Sequence, residues 1–289
     1  MTGKIDLHVH TLASDGKYSP ADLVALASRK GLGLLGITDH DTVSGLSVAI
    51  EAAKAFPDLK IVPGVEISTH APGSEVHVLG YFIDTGNSAL LEQLADLGDS
   101  RQARAKAMVD KLRELGLDIT LARVQEIAGD GSIGRPHIAE ALMEKGYVSS
   151  FQEVFTKYIG QGGPAYVDRI KLTPDQAVEL IIRSGGLPVL AHPSYINDLE
   201  TVVAGLAGKG LAGLEVHYKD YTDQTRRDMS VLASRYKLIA TGGSDFHGID
   251  ESMEVMLGSA HVPRECGENL LRVALERGVR LPLWLEQGI

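Results

Sequence analysis

One cysteine, Cys266, stands in 289 residues. A single thiol excludes an intramolecular disulfide and a zinc site built on cysteines; it reads as a half-buried bystander rather than a nucleophile. No uninterrupted apolar run reaches the roughly 18 residues that suggest a membrane span, so no membrane contact is expected. The N-terminus lacks the basic, then apolar, then small-residue order of a secretion signal, which makes the cytoplasm the expected location. Positive charge is also short: 28 Lys and Arg against 38 Asp and Glu leave a net charge of −10. That balance argues against a surface for long nucleic acid. It remains compatible with a local cationic pocket for a small phosphate ester, the more so once metal ions add their own charge. Internal repeats and low-complexity stretches are absent, and nothing in the chain calls for an obligate protein partner.

What is present is an ordinary globular composition, 44% hydrophobic and 23% charged. The length suits one α/β barrel, or a barrel with an inserted piece. Strand-like and helix-like segments alternate. Ile5–His10 reads as a strand, followed by a helix from Ser19-Pro20 to about Lys30, with Ser as N-cap and Pro at the first helical position. Leu32–Thr38 is a second strand, roughly Val43–Ala55 a helix, Lys60–Glu66 a third strand and Glu75–Phe82 a fourth. This rhythm predicts βαβ units and a mostly parallel sheet. It breaks between about Leu90 and Tyr158, where the chain is helical and charged, with Gly116 and Gly146 at expected helix ends. Gly160–Pro164 leads out. The alternation resumes with a helix at Pro174–Ser184, a strand at Leu187–Ala191, a helix near Asp198–Gly208, and strands at Leu214–Val216 and Leu238–Thr241. The expectation is a barrel formed by residues 1–90 and 167–289, interrupted by a helical insertion at 91–166.

His8 and His10 lie two positions apart on the first strand and therefore point the same way. Asp15, His40, Glu66, His77, His192, Asp245 and His247 also fall on or just beyond predicted strands. In barrels of this alternation the strand C-termini converge on one face, where active sites are built. Nine such groups exceed what one ion can use. Imidazole suits zinc, iron and manganese; carboxylates suit manganese and magnesium and can bridge two ions. A cluster of two or three cations follows, suited to generating hydroxide near neutral pH and clamping phosphate oxygens. Each residue has a plainer alternative taken alone. His70, His217 and His261 are read as surface or core histidines, although His217 follows a strand near Glu215. Asp15-Gly16 has the look of a turn, Asp39 and Asp41 of caps on the following helix, and Asp6 of a residue orienting a ligand histidine.

The motifs DLHVHT at 6–11, TDHD at 38–41, AHP at 191–193 and GSDFH at 243–247, with PGVEI at 63–67 and EVHVLGY at 75–81 between them, resemble those of the PHP (polymerase and histidinol phosphatase) superfamily of metal-dependent phosphoesterases. The likeness spans the chain. It implies a distorted (β/α)7 barrel with a three-metal centre, manganese first and zinc, iron or magnesium as alternatives. By that resemblance His8, His10, Glu66 and Asp245 hold one ion, Glu66 with His77 and His192 a second, and Asp15, His40 and His247 a third.

The insertion narrows the branch. Residues 133–139, IGRPHIA, resemble the segment of small bacterial members in which an Arg and a His meet substrate phosphate, here Arg135 and His137. The guanidinium fork of Arg135 suits two parallel hydrogen bonds to phosphate oxygens. Lys157, Tyr158 and Tyr166, near the insertion's end, are read as packing its hinge. The resemblance implies hydrolysis of a small nucleotide, either a nucleoside 3′,5′-bisphosphate or a short 5′-phosphorylated oligoribonucleotide. Metal-activated hydroxide would attack phosphorus while His192 or Asp245 protonates the leaving oxygen. Histidinol-phosphate phosphatase is the alternative activity, and a nucleotide-sensing binding protein the non-enzymatic one. A polymerase-linked exonuclease domain and an amidohydrolase on a related barrel fit less well.

Overall fold

Leu7, Leu34, Val62, Leu79 and Val189 come from five different strands and share one buried apolar cluster with Leu270 and Leu271, which lie beyond the last strand. The strands that carry them are β1 (Lys4–Val9), β2 (Leu32–Ile37), β3 (Lys60–Ala71), β4 (Ser74–Tyr81), β5 (Leu187–Leu190), β6 (Gly213–Tyr218) and β7 (Ile239–Gly243). In this computed structural model, which describes residues 3–71, 74–168, 172–249 and 256–286, they form one seven-stranded sheet in sequence order. A bridge between Val9 and Phe246, with His10 N–H donating to the Phe246 carbonyl at 2.9 Å, brings the chain beyond β7 back to the end of β1. Strand alternation sends Leu35, Ile37, Ile61, Val65, Val78 and Leu214 into a second cluster. Its helical side is supplied by α1 (Pro20–Arg29), α2 (Leu46–Ala53), α7 (Pro174–Arg183), α8 (Leu199–Gly208) and α9 (Asp223–Arg235). The first cluster is capped by α10 (Arg264–Glu276) and α11 (Leu283–Glu286).

The sheet is mostly parallel, as expected, with one strand reversed. β4 runs antiparallel to both β3 and β5, while the other pairings are parallel. β3 continues to Ala71, past the expected end at Glu66, and pairs residue for residue with β4 from Gly64↔Tyr81 to Ala71↔Ser74. A parallel crossover takes a dozen residues or more, and the gap between Glu66 and Glu75 is too short for one. The consequence is a hairpin, and Glu66 and His77 sit within strands rather than at strand ends.

Between β4 and α7 lie α3 (Ser88–Glu114), α4 (Leu121–Ala128), α5 (Arg135–Glu144) and α6 (Phe151–Val154), the last running into a π-helical turn at Phe155–Ile159. They build an apolar cluster of their own from Met108, Val109, Leu112, Val124, Ile138, Leu142 and Val154. The long helix α3 serves both bodies, for Leu90, Leu94 and Leu97 pack in the barrel's cluster and Ala105 onward in the other. Asn87 caps α3 and Thr120 caps α4, each by accepting a backbone N–H. No helix among the described residues is long and apolar enough to cross a membrane.

Candidate metal centre

Glu66 is fully buried on β3 and five imidazoles close on its two oxygens. His8 Nε2 and His10 Nε2 lie 3.2 Å from Oε2, and His40 Nδ1 lies 3.0 Å from the same atom. His77 Nδ1 at 2.9 Å and His192 Nε2 at 3.2 Å face Oε1. Register explains the nearest of these. Glu66 opposes Leu79, so His77, two residues before Leu79 on β4, projects diagonally on the same face. His8 and His10 come up together from the end of β1, ring centroids 5.2 Å apart. On the far side Asp245 Oδ1 stands 3.1 Å from His10 Nε2 and 3.4 Å from His8 Nε2, and His247 Nε2 lies 3.3 Å from Asp15 Oδ1. All nine residues singled out from the sequence are therefore in one place.

Among the described residues, three overlapping groups have ligand atoms close enough to share an ion: His8, His10, Glu66 and Asp245; His10, Asp15, His40 and His247; and His40, Glu66 and His77. The first matches the expected set. The third keeps the expected Glu66 and His77 but has His40 where His192 was expected, His192 falling in none of the three. His10 joins the Asp15 group, so the ligands are shared differently from the motif-based grouping. Fit to cations is testable from orphaned atoms. Both ring nitrogens of His10, Nδ1 of His40 and Oδ1 of Asp15 are buried without an aligned hydrogen bond. Polar atoms are rarely left so, and ring nitrogens and carboxylate oxygens that converge this closely suit divalent metal ions. The mixed nitrogen and oxygen set is hospitable to manganese, zinc and iron.

Neighbouring groups orient these side chains. Glu215 accepts from His8 Nδ1 at 3.2 Å and from the His192 backbone N–H at 2.7 Å, which turns His8 Nε2 inward. His247 Nδ1 donates to the Asp245 carbonyl at 2.9 Å, turning Nε2 toward Asp15. Asp6 accepts from the backbone N–H groups of His8, Ser244 and Gly258 and from Ser244 Oγ, tying the end of β1 to the chain after β7. Asp39 and Asp41 do not cap α2, whose N-cap is Gly45 without a side-chain bond. Asp39 instead accepts from Thr11 N, Thr11 Oγ1 and Ser14 Oγ, holding the loop that carries Asp15. Asp41 accepts from Ser68 N and from Arg101 on α3. Asp41, His192 and Asp245 hold positive φ angles of 52°, 28° and 49°, strained conformations that surrounding bonds over-determine. Gly243 is obligatory by space, because a Cβ there would lie 2.3 Å from His8 Cβ.

The charge pattern favours cations. Burial would raise the Glu66 carboxyl, but His40, His8 and His77 hold it well below its ordinary value. Asp15 and Asp245 are likewise lowered against burial, by His40 and His247 and by His247 and Lys219 respectively. Burial would lower His10, yet Asp245 and Glu66 push it up to about 10. His40 goes the other way: burial outweighs its carboxylates and brings it down to about 3.

The insertion approaches through α5. Arg135 Nη2 donates to Glu75 Oε2 at 2.7 Å, its guanidinium 5.3 Å over the Phe155 ring, and Glu75 in turn lies 4.0 Å from His77 Nε2. His137 is buried, and its Nδ1 accepts the Gly134 N–H at 3.0 Å, so its first duty is to fix the start of α5. Lys157 pairs with Glu153, and Tyr166 lies beneath Arg104. His217 belongs to none of the three candidate groups.

Sequence reasoning missed Glu215, Arg101, Lys219 and Tyr218. An acid inside the apolar run of β6 was a readable signal for Glu215, since a buried charge needs partners; Arg101 on a charged helix gave none. Glu215→Gln is expected to keep the fold and lower metal affinity about 10- to 100-fold, the usual cost of losing an orienting partner. Metal titration of the purified variant checks this; unchanged affinity would remove Glu215 from the account.

Comparison with known proteins agrees with the geometry. Residues 6–147 match the PHP domain. The chain is 37% identical over 247 residues to the 5′-3′ exoribonuclease Rnm of Escherichia coli (strain K12), covering 84% of each chain. It is 31% identical over 252 residues to the 3′,5′-nucleoside bisphosphate phosphatase of Chromobacterium violaceum, covering 86% of this chain and 88% of that one. A crystal structure from Bifidobacterium adolescentis, assigned as a metal-dependent phosphoesterase, superposes with a TM-score of 0.86 at 29% identity, covering 96% of this chain and 97% of the other.

Proposed function

Because the chain belongs to the PHP-domain family and is a metal-dependent phosphoester hydrolase, we propose that it hydrolyses a phosphate ester of a small nucleotide, a nucleoside 3′,5′-bisphosphate or a short 5′-phosphorylated oligoribonucleotide. The observation that carries this reading is the convergence of five imidazoles on buried Glu66 beside orphaned ring nitrogens of His10 and His40. The acidic chain favours a short substrate over a long polymer. No observation favours histidinol phosphate or a purely sensory role.

Three divalent cations, manganese first, are assigned to three sets that follow the motif-based grouping: His8, His10, Glu66 and Asp245; Glu66 and His77 with His40, joined by His192 on the strength of its 3.2 Å approach to Glu66 Oε1; and Asp15, His40 and His247, with His10 alongside. When bound, such cations acidify water and counter the charge on phosphoryl oxygens. The chain's residues supply the rest. Glu66 fixes the spacing between groups, and Glu215 and the Asp245 carbonyl fix the tautomers of His8 and His247. Arg135, stacked on Phe155, exchanges Glu75 for a substrate phosphate, while His137 holds the turn that aims it. Of the two side chains expected to protonate the leaving oxygen, Asp245 is poorly suited to the task. Asp245 Oδ2 already accepts the Tyr218 hydroxyl at 2.8 Å and faces Lys219 at 3.3 Å, contacts that keep a carboxylate ionised. Residues 91–166 are proposed as the insertion that covers the centre.

Manganese-loaded protein is expected to release phosphate or mononucleotide from nucleoside 3′,5′-bisphosphates or 5′-phosphorylated dinucleotides, and not from histidinol phosphate. Arg135→Ala should raise KM about 10- to 100-fold, the value of one or two hydrogen bonds to a charged group. No release across a broad nucleotide panel would sink the proposal.

A further inference from the structure

Aromatic residues are only 5% of this chain, yet three of its nine tyrosines gather at one edge of the metal centre. The ring centroids of Tyr195, Tyr218 and Tyr221 lie 5.2–6.3 Å apart. His192 adjoins them, 5.7 Å from Tyr218 and 6.3 Å from Tyr195. Two of the three have evident tasks. Tyr218 donates its hydroxyl to Asp245, and the Tyr221 hydroxyl accepts the Ser194 N–H at 2.9 Å; both rings are 5% exposed. Tyr195 is 59% exposed.

Its exposure is not looseness. Tyr195 ends the short 3-10 turn Pro193–Tyr195. That turn is pinned by the His192 N–H on Glu215 and the Ser194 N–H on Tyr221. Steeply inclined contacts with Tyr218 at 77° and Tyr221 at 61° set the plane of the ring. A planar ring, fixed by its neighbours and open to solvent, offers contact area at little entropic cost. Lys219 adds a cation on the same edge, Nζ 3.3 Å from Asp245 Oδ2 and 5.4 Å from the Tyr218 ring centroid.

We propose that Tyr195 is the stacking platform for the substrate's nucleobase, holding the base at the rim while the phosphate sits among the imidazoles beside His192. The inference rests on the nucleotide reading above. Stacking uses a π-face that every base possesses, so this platform confers preference for nucleotides over other phosphate esters without selecting one base.

The test compares a nucleoside 3′,5′-bisphosphate with the same sugar bisphosphate lacking its base. Wild-type protein should show the lower KM for the nucleotide, and Tyr195→Ala should shrink that preference about 5- to 100-fold, the range for losing one base–aromatic stack. Tyr195→Phe and Tyr195→Trp, which keep a π-face, should preserve it. Preference retained in the alanine variant overturns the proposal, as does an equal rise in KM for both esters, which marks a disturbed His192 turn. Wild-type protein that cleaves both esters equally well removes the platform and leaves the phosphoesterase standing. Wild-type protein that cleaves neither removes the nucleotide reading and the platform together.

Discussion

Replacing Glu66 with alanine is expected to abolish metal retention and turnover together, lowering kcat/KM by more than the roughly 100-fold typical of a lost orienting partner. The carboxylate is fully buried and faces His8, His10, His40, His77 and His192 within 3.2 Å, so no other side chain can take over its position between two of the candidate groups. Elemental analysis beside an activity assay reads both effects. A protein that merely senses a nucleotide has no turnover to lose and can keep its affinity, so an alanine variant that still binds nucleotide as tightly as wild type would favour that alternative. Glu66→Gln separates charge from volume. The folded-state value of Glu66 lies well below its ordinary 4.5, so its contribution to stability is fully present above the ordinary value and fades as pH falls through the lower, folded one. In chelator, the wild type should therefore exceed Glu66→Gln in stability at neutral pH. The gap should narrow as the medium is acidified below 4.5.

Arg101→Ala is expected to destabilise the protein by about 3–5 kcal/mol, the usual cost of stranding one member of a buried ion pair. Arg101 donates from Nε to Asp41 Oδ2 at 2.7 Å and from Nη2 to Ser68 Oγ at 2.8 Å, and neither Arg101 nor Asp41 is well exposed. Arg101's contacts join α3 to the loop after β2 that carries His40 and Asp41 and, through Ser68, to β3, which carries Glu66, so their loss should also loosen the helical segment. Limited proteolysis within 91–166 and chemical denaturation measure the two consequences. Arg101→Met combined with Asp41→Asn, which removes both charges, should recover much of the loss. A single Arg101→Ala variant within 1 kcal/mol of wild type would show that Asp41 finds solvent or another partner.

Much of the candidate site was legible because its residues obey local rules. His8 and His10 share a strand face by period, and His40, His192, Asp245 and His247 follow strands that hydrophobic runs reveal. The direction of β4 was less so, since a strand's pattern carries no arrow; only the short gap after Glu66 hinted at a hairpin. Asp39 and Asp41 read as helix caps because an acid ahead of a helix ordinarily caps it. Here the loop turns them toward Thr11, Ser14, Ser68 and Arg101 instead. Arg101 was illegible altogether, being one cation on a long charged helix whose partner lies 60 residues away.

The sequence by itself determined the chemistry: which nine side chains stand ready for metal, and that they lie on or beside strands whose ends meet. The tertiary structure decided how they are shared. Glu66 became the common partner of five imidazoles, His10 and His40 each joined a second group, and Tyr195 was left facing solvent beside them. The reason is physical. Strand periodicity acts over a few residues and is written along the chain, whereas the distances among β1, β3, β4 and the loops after β5 and β7 are set by sheet closure, to which residues far apart in sequence contribute at once.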